Sequence, residues 1–444
     1  MHFNIIMKKL RLNNNYSRLL PIIFLVIVVL PLSIVFNADI ISRALGTHLS
    51  NQYNDLNHYI NLADKFKCWA FYPLWPILIR IFSTISTIDL HRSAIILSSV
   101  IGLIALFIGT NTINRLSIDN RLSLALSSLY VLSPMTVFFF VGYTEALFSL
   151  ESWILLAIII NLTFRHSCKM HDYILLFSIC IAIGLTRASI LQVTFSTLGS
   201  LALIAIKSKL DKNTQSDFSR YIKISLIMVT GCCVGYLLFG FFCLRENMGF
   251  FTPFSVQEEW GKSLGFRPMF LLNTRSPIID LWGLYYPLII LTPYFTDFSL
   301  SKIRFRFLPQ VLYQNLPLTL LLPPLGILSS IFSNLLNRRY KPRQDSDLVN
   351  DIYFKDLEFL FLYCSLFALS HALICFLTQE QYLYSAGRYI FGQPYFYVAL
   401  TILVNSKLKV FIKNPKSTFI VSLSISVIYL LKNLIDFGNS KLLL

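Results

Sequence analysis

The run Ser93–Ile113, SAIILSSVIGLIALFIGTNTI, carries no charged side chain over a length sufficient to cross a bilayer core as an α-helix, which takes about 20 residues. A strand of that length would be exceptional, so the run reads as a membrane helix. Similar windows recur along the chain, at 19–37, 122–141, 145–163, 173–186, 188–206, 222–244, 311–333, 357–377, 389–405 and 418–434. Two shorter apolar pieces, 75–88 and 282–296, are open between re-entrant, interfacial and complete helices. The fold class expected is all-α: one polytopic transmembrane helical bundle of about 11 spans over 19–434, with a basic segment 1–18 before it and a short tail 435–444 after it.

Composition points the same way. The 444 residues are 55% hydrophobic and 14% charged, with mean hydropathy +0.63, too few charges to cover a water-facing surface. The formal charge of +16 does not signal nucleic acid, because Lys and Arg cluster between apolar runs, as cytoplasmic loops do. These clusters include Lys8/Lys9/Arg11/Arg18, Arg115/Arg121, Lys207/Lys209/Lys212/Arg220 and Lys407/Lys409/Lys413/Lys416. Placing them inside puts the amino terminus inside as a retained signal anchor and sets the large loops 38–92 and 245–281 outside. Lys302, Arg304 and Arg306 break the alternation. The eight cysteines contain no C-x-x-C and mostly lie in apolar runs, so neither a disulfide framework nor a metal site is expected. Asp345-Ser346-Asp347 matches the metal-holding D-x-D of many sugar-nucleotide transferases, but in a charged loop with no Rossmann-like surroundings it reads as a chance match.

Ionisable residues at membrane depth are costly and usually functional. Four places bring them to the same expected outer face. The first is Asn54-Asp55-Leu56-Asn57-His58-Tyr59, followed by Trp69-Ala70-Phe71-Tyr72-Pro73-Leu74-Trp75-Pro76. The second is Ser133-Pro134 with Gly142-Tyr143-Thr144-Glu145; the third is Thr186-Arg187; the fourth is Gly387-Arg388-Tyr389. Alone, each charge could be a headgroup anchor. Together they supply an outer pocket: Arg forks for a phosphate, aromatic faces (Trp69, Tyr72, Trp75) for a sugar ring, and a carboxylate to take a proton from a hydroxyl.

At these residues the chain resembles the PIG-V type of GPI mannosyltransferase and its bacterial integral-membrane relatives, in the GT-C glycosyltransferase superfamily. The family's W-D-x-x-x-Y-x-x-I-A and A-F-F-P-L-Y-P align with Asp55, Tyr59, Ala63 and Ala70–Pro76. Its S-P and Y-[ST]-E-[AS]-L-F align with Ser133-Pro134 and Tyr143–Phe148; its T-R with Thr186-Arg187; its Q-x-x-W with Gln257 to Trp260; its late R-Y with Arg388-Tyr389. Asn54 stands where the family has Trp, and the stretch between Ala63 and Ala70 is shorter than the family's.

The resemblance implies transfer of a sugar, mannose first, from a polyprenyl-phosphate donor to an acceptor hydroxyl at the periplasmic or lumenal face, with inversion. Asp55 would be the base. Arg187 and Arg388 would hold the donor phosphate, with Glu145, His58, Tyr59, Tyr143, Gln257, Trp260 and Tyr389 supporting them or the acceptor. No cofactor or metal is required. The partners expected are the lipid-linked donor, a glycan, glycolipid or other hydroxylated acceptor, and membrane lipid. The abundance of Ile, Leu, Asn and Lys and the absence of an ER-retention tail favour a bacterial inner membrane over the endoplasmic reticulum. The rivals are a lipid or glycolipid transporter, which would place charges mid-membrane in broken helices and often show paired repeats, and a non-catalytic scaffold subunit.

Overall fold

A computed structural model describes residues 15–31, 54–65, 71–117, 120–164, 169–210, 218–259, 264–266, 278–297, 356–378, 385–405 and 415–438. Among them every regular element is helical. In chain order they are α1 (Asn15–Phe24, running into a π-turn, Leu25–Val29), α2 (Asn54–Lys65), α3 (Leu74–Ser86), α4 (Leu90–Leu116), α5 (Asn120–Val131), a 3-10 turn (Pro134–Phe139), α6 (Glu145–Phe164), α7 (Met170–Thr186), α8 (Ile190–Leu210), α9 (Phe218–Arg245), α10 (Thr252–Glu259), α11 (Ile278–Asp297), α12 (Glu358–Thr378), α13 (Ala386–Phe391), α14 (Pro394–Leu403) and α15 (Pro415–Gly438).

Among the described residues, five helices are long and apolar enough to cross a membrane: Leu90–Leu116, Glu145–Phe164, Ile190–Ser208, Phe218–Arg245 and Glu358–Thr378. Helices satisfy their own backbone polar groups, which is what a bilayer core demands. The chain has the build of an integral membrane protein. Other expected windows hold shorter apolar helices, including Leu19–Val29, Met170–Thr186 and Leu423–Ile435. The 282–296 piece is part of the unbroken helix α11, and 75–88 is α3.

Two windows expected as single spans are interrupted, each at a proline. The 122–141 window stops as helix at Val131, and Pro134 opens the 3-10 turn under a Ser133 cap. The 389–405 window divides at Gly392-Gln393, with Pro394 starting α14. Proline's fixed φ suits the first position of a helical element, where its missing N–H costs nothing, and the chain restarts at each of the two prolines. The 311–333 window, the Asp345–Asp347 motif, Lys302, Arg304, Arg306, residues 38–53 and most of the two terminal segments lie outside the described residues.

Small residues let the helices approach closely. On α7 and α9, a methyl group at Gly184 would stand 2.7 Å from the Cys232 carbonyl oxygen, and one at Gly235 would stand 2.5 Å from that of Ile181. A methyl at Gly231 would meet Cys180 Cβ at 2.6 Å. On α4, Gly109 lies under Tyr130 and Trp153, whose indole donates to the Tyr130 hydroxyl at 2.7 Å. At the far end of the bundle from the site described below, Lys207 of α8 pairs with Glu358 of α12 at 2.6 Å.

The cysteines depart from expectation at one position. Cys180, Cys232, Cys233, Cys364 and Cys375 form no disulfide, whereas Cys243, at the end of α9, is disulfide-bonded. Cys68 and Cys168 lie outside the described residues.

Candidate functional site

The turn before α6 sets the site. Gly142 adopts φ +82°, a left-handed conformation that suits glycine, and a Cβ there would stand 2.8 Å from Leu56 of α2. Its N–H donates to Ser98 Oγ at 2.9 Å, and its carbonyl accepts from the Trp75 indole at 3.0 Å. Tyr143, Thr144 and Glu145 therefore leave the turn in a fixed direction. Tyr59 of α2 meets Thr144 hydroxyl to hydroxyl at 3.1 Å, and its ring lies 6.4 Å from that of Tyr143.

Glu145 is fully buried at the first position of α6. Its Oε1 receives Arg388 Nε at 2.6 Å and lies 3.2 Å from Arg187 Nη2. Arg187 stands at the end of α7, where its extended backbone (φ −152°, ψ 160°) closes the helix and turns the chain toward α8. Arg388 rides on the short helix α13. One carboxylate thus gathers two guanidiniums that lie about 200 positions apart in the sequence, and the three charges share one end of the bundle.

Aromatic rings enclose the pair. Arg388 Cζ lies 4.5 Å from the Phe138 ring centroid and 4.8 Å from that of Tyr143. Arg187 Cζ lies 4.8 Å from the Tyr389 ring and 5.5 Å from Phe148. Rings in these positions stabilise cations taken out of water. Arg187 Nη1 is buried with no hydrogen-bond partner, and so is Glu145 Oε2. The cluster therefore offers one idle donor and one idle acceptor to a ligand.

The structure brings together Glu145, Arg187, Arg388, Tyr143, Tyr389 and Tyr59 of the expected residues. His58 stacks on Phe71, at 5.3 Å, and Phe71 in turn packs against Tyr59 at 4.7 Å. Asp55 stands one helical turn before Tyr59 in α2, and Gln257 lies in α10. Trp69 and Trp260 lie outside the described residues. The two remaining rings are buried. Trp75 is 0% exposed and holds the Gly142 turn. Tyr72 sits apart, 4.8 Å from Phe239 in a cluster with Tyr236 and Cys243, where burial pushes its hydroxyl above the ordinary tyrosine range.

Two further residues set the position of Arg388. Asp280, fully buried in the first turn of α11, accepts the Gly387 N–H at 2.6 Å. By holding that N–H it fixes the entrance of α13. Gly283 and Gly387 let the two helices meet backbone to backbone: a Cβ at Gly283 would stand 2.8 Å from the Ala386 carbonyl carbon, and one at Gly387 would stand 2.9 Å from the Ile279 carbonyl oxygen. Ser133 is the second residue. Its hydroxyl donates to the Phe391 carbonyl at 3.1 Å, tying the Ser-Pro turn to the other end of α13. Ser133 was visible as a motif. Asp280 was visible only as a lone carboxylate ahead of an apolar run, and nothing local in sequence names its partner.

No family model, curated protein or solved structure matches this chain.

Proposed function

We propose that the protein is a membrane glycosyltransferase of the GT-C kind, moving a sugar, mannose first, from a polyprenyl-phosphate donor to an acceptor hydroxyl at the periplasmic or lumenal face. The observation that carries this reading is the buried, unpartnered Nη1 of Arg187, held by Glu145 and the Tyr389 ring at the end of an apolar bundle. A guanidinium fork with one arm engaged and one idle is suited to a phosphate oxygen arriving from the membrane.

The chemistry is a single displacement. The acceptor oxygen attacks the anomeric carbon, the bond from that carbon to the phosphate oxygen breaks, and the acceptor proton passes to a carboxylate. The lipid phosphate leaves with growing negative charge, which the two arginines stabilise. Asp55 is assigned the proton because it opens α2, the helix whose Tyr59 bonds Thr144 beside Glu145. Glu145 suits that task less well, since its Oε1 is shared by two cations.

Transport has one observation in its favour: the helical break at Gly392-Gln393 lies one turn after Arg388. Reconstituted in liposomes with polyprenyl-phosphate [¹⁴C]mannose and a glycolipid acceptor, the protein should yield a labelled acceptor. Movement of labelled lipid or solute across the liposome without donor turnover would overturn the assignment.

A further inference from the structure

His371 lies in the middle of α12, in a run of otherwise apolar and small residues, and is buried there. Its ring centroid is 5.0 Å from Phe367 and 5.8 Å from Tyr389. Its Nδ1 is enclosed and has no hydrogen-bond partner. The same Tyr389 ring carries Arg187 at 4.8 Å. Two buried nitrogens without partners, one on Arg187 and one on His371, therefore lie against one aromatic ring.

Buried polar atoms without partners are rare in folded proteins, and those that occur call for an explanation. Packing does not supply one: a leucine or phenylalanine would fill this position in α12 without an unmet hydrogen bond. A ligand that presents more than one acceptor oxygen would serve both nitrogens together. The imidazole adds a directional N–H in a rigid plane, and in its neutral form brings no further positive charge to a cluster that already holds two arginines.

Resting on the glycosyltransferase reading, we propose that His371 and Arg187 form a two-nitrogen cradle for the phosphate of the lipid-linked donor. Arg187 engages one oxygen through its idle Nη1. His371 donates an N–H to a second, and the Tyr389 ring packs near both side chains.

The test uses the full-length protein in lipid nanodiscs, with a short-chain polyprenyl monophosphate as the probe and inorganic phosphate as the competitor. His371→Phe should weaken binding of the lipid phosphate by about 10-fold or more, the scale of one hydrogen bond to a charged group. His371→Gln, which keeps an N–H, should recover part of that loss. In the transfer assay the donor KM should rise while the acceptor KM stays unchanged, a split that a merely structural role would not produce. If His371→Phe does not fold, the Gln variant carries the comparison.

Wild-type binding by both His371 variants, with weakened binding by Arg187→Lys, would overturn the role of His371 and leave the enzyme reading standing. Wild-type binding by the Arg187 and His371 variants alike would remove the phosphate site itself. Competition by inorganic phosphate as effective as the lipid probe would show a free-anion site and overturn the lipid source.

Discussion

Arg388 donates its Nε–H to Glu145 Oε1 at 2.6 Å, joining residues 243 positions apart. Arg187 reaches the same oxygen at 3.2 Å, so the carboxylate is the joint of three helices, α6, α7 and α13. Removing one partner of a buried ion pair leaves an uncompensated charge, which costs about 3–5 kcal/mol. We expect Glu145→Gln to destabilise the detergent-purified protein on that scale and Glu145→Gln/Arg388→Gln to recover part of the loss. A double-mutant coupling below about 0.5 kcal/mol would show that the pair does not act as a unit.

Asp55→Asn keeps the size of the side chain and removes the proton acceptor. Turnover should fall by about 10²-fold or more, with donor binding unchanged. A folded Asp55→Asn protein with near-normal turnover would return the base assignment to another carboxylate.

Lysine preserves charge but not the fork. Arg187→Lys should therefore raise the donor KM, because it loses the idle Nη1, whereas Arg388→Lys should act chiefly on stability, because its Nε is spent on Glu145. Equal effects of the two changes on donor KM would refute this division of labour.

Asp280 acts on Arg388 through the backbone of α13. Asp280→Ala should cost about 1–2 kcal/mol, the scale of a lost helix cap, and lower transfer activity. Asp280→Asn retains the acceptor oxygen and should restore much of both. Full activity in a stable Asp280→Ala protein would show that α13 holds its place without the cap.

The disulfide at Cys243 gives a sidedness test. Cys68 precedes Tyr72 by four positions, and Tyr72 clusters with Cys243. Cys168 follows Phe164 by four positions, and that end of α6 lies at the start of α9, where Arg220 donates to the Thr163 carbonyl at 3.0 Å. The length of α9, about 1.5 Å per residue, separates that start from Cys243. Mass spectrometry of unreduced peptides should therefore find Cys68 joined to Cys243. Such bonds persist in oxidising compartments, so a cysteine introduced at Asn51 or at Gln381 should react with an impermeant thiol reagent from outside, and one at Asn213 should not. A Cys168–Cys243 peptide, or labelling at Asn213 alone, would reverse the orientation.

The charged centre was legible because Glu145, Arg187 and Arg388 each interrupt or abut an apolar run, where a solvated role is costly. The prolines at 134 and 394 were equally visible, yet hydropathy averaging passed over them: Val131–Val141 and Tyr389–Asn405 stay apolar although the helix breaks inside them. Asp280 and His371 escaped for different reasons. Asp280 acts on a backbone 107 positions away, a relationship that exists only after folding. His371 sits in a run that reads as ordinary span, and its meaning comes from Tyr389 and Arg187 on other elements.

The seam between α7 and α9 bears on how a mutational scan of this protein would look. Arg187 follows Gly184 by one turn, and Gly184 lies against the Cys232 carbonyl with no room for a methyl group. Any larger residue at 184, 231 or 235 works as a shim, wedging α7 off α9 and carrying the arginine with it. A growth-based selection would then mark these glycines as intolerant as Arg187, although none carries a group able to bind a phosphate or a sugar. Such a map would outline the seam that carries the site rather than its lining.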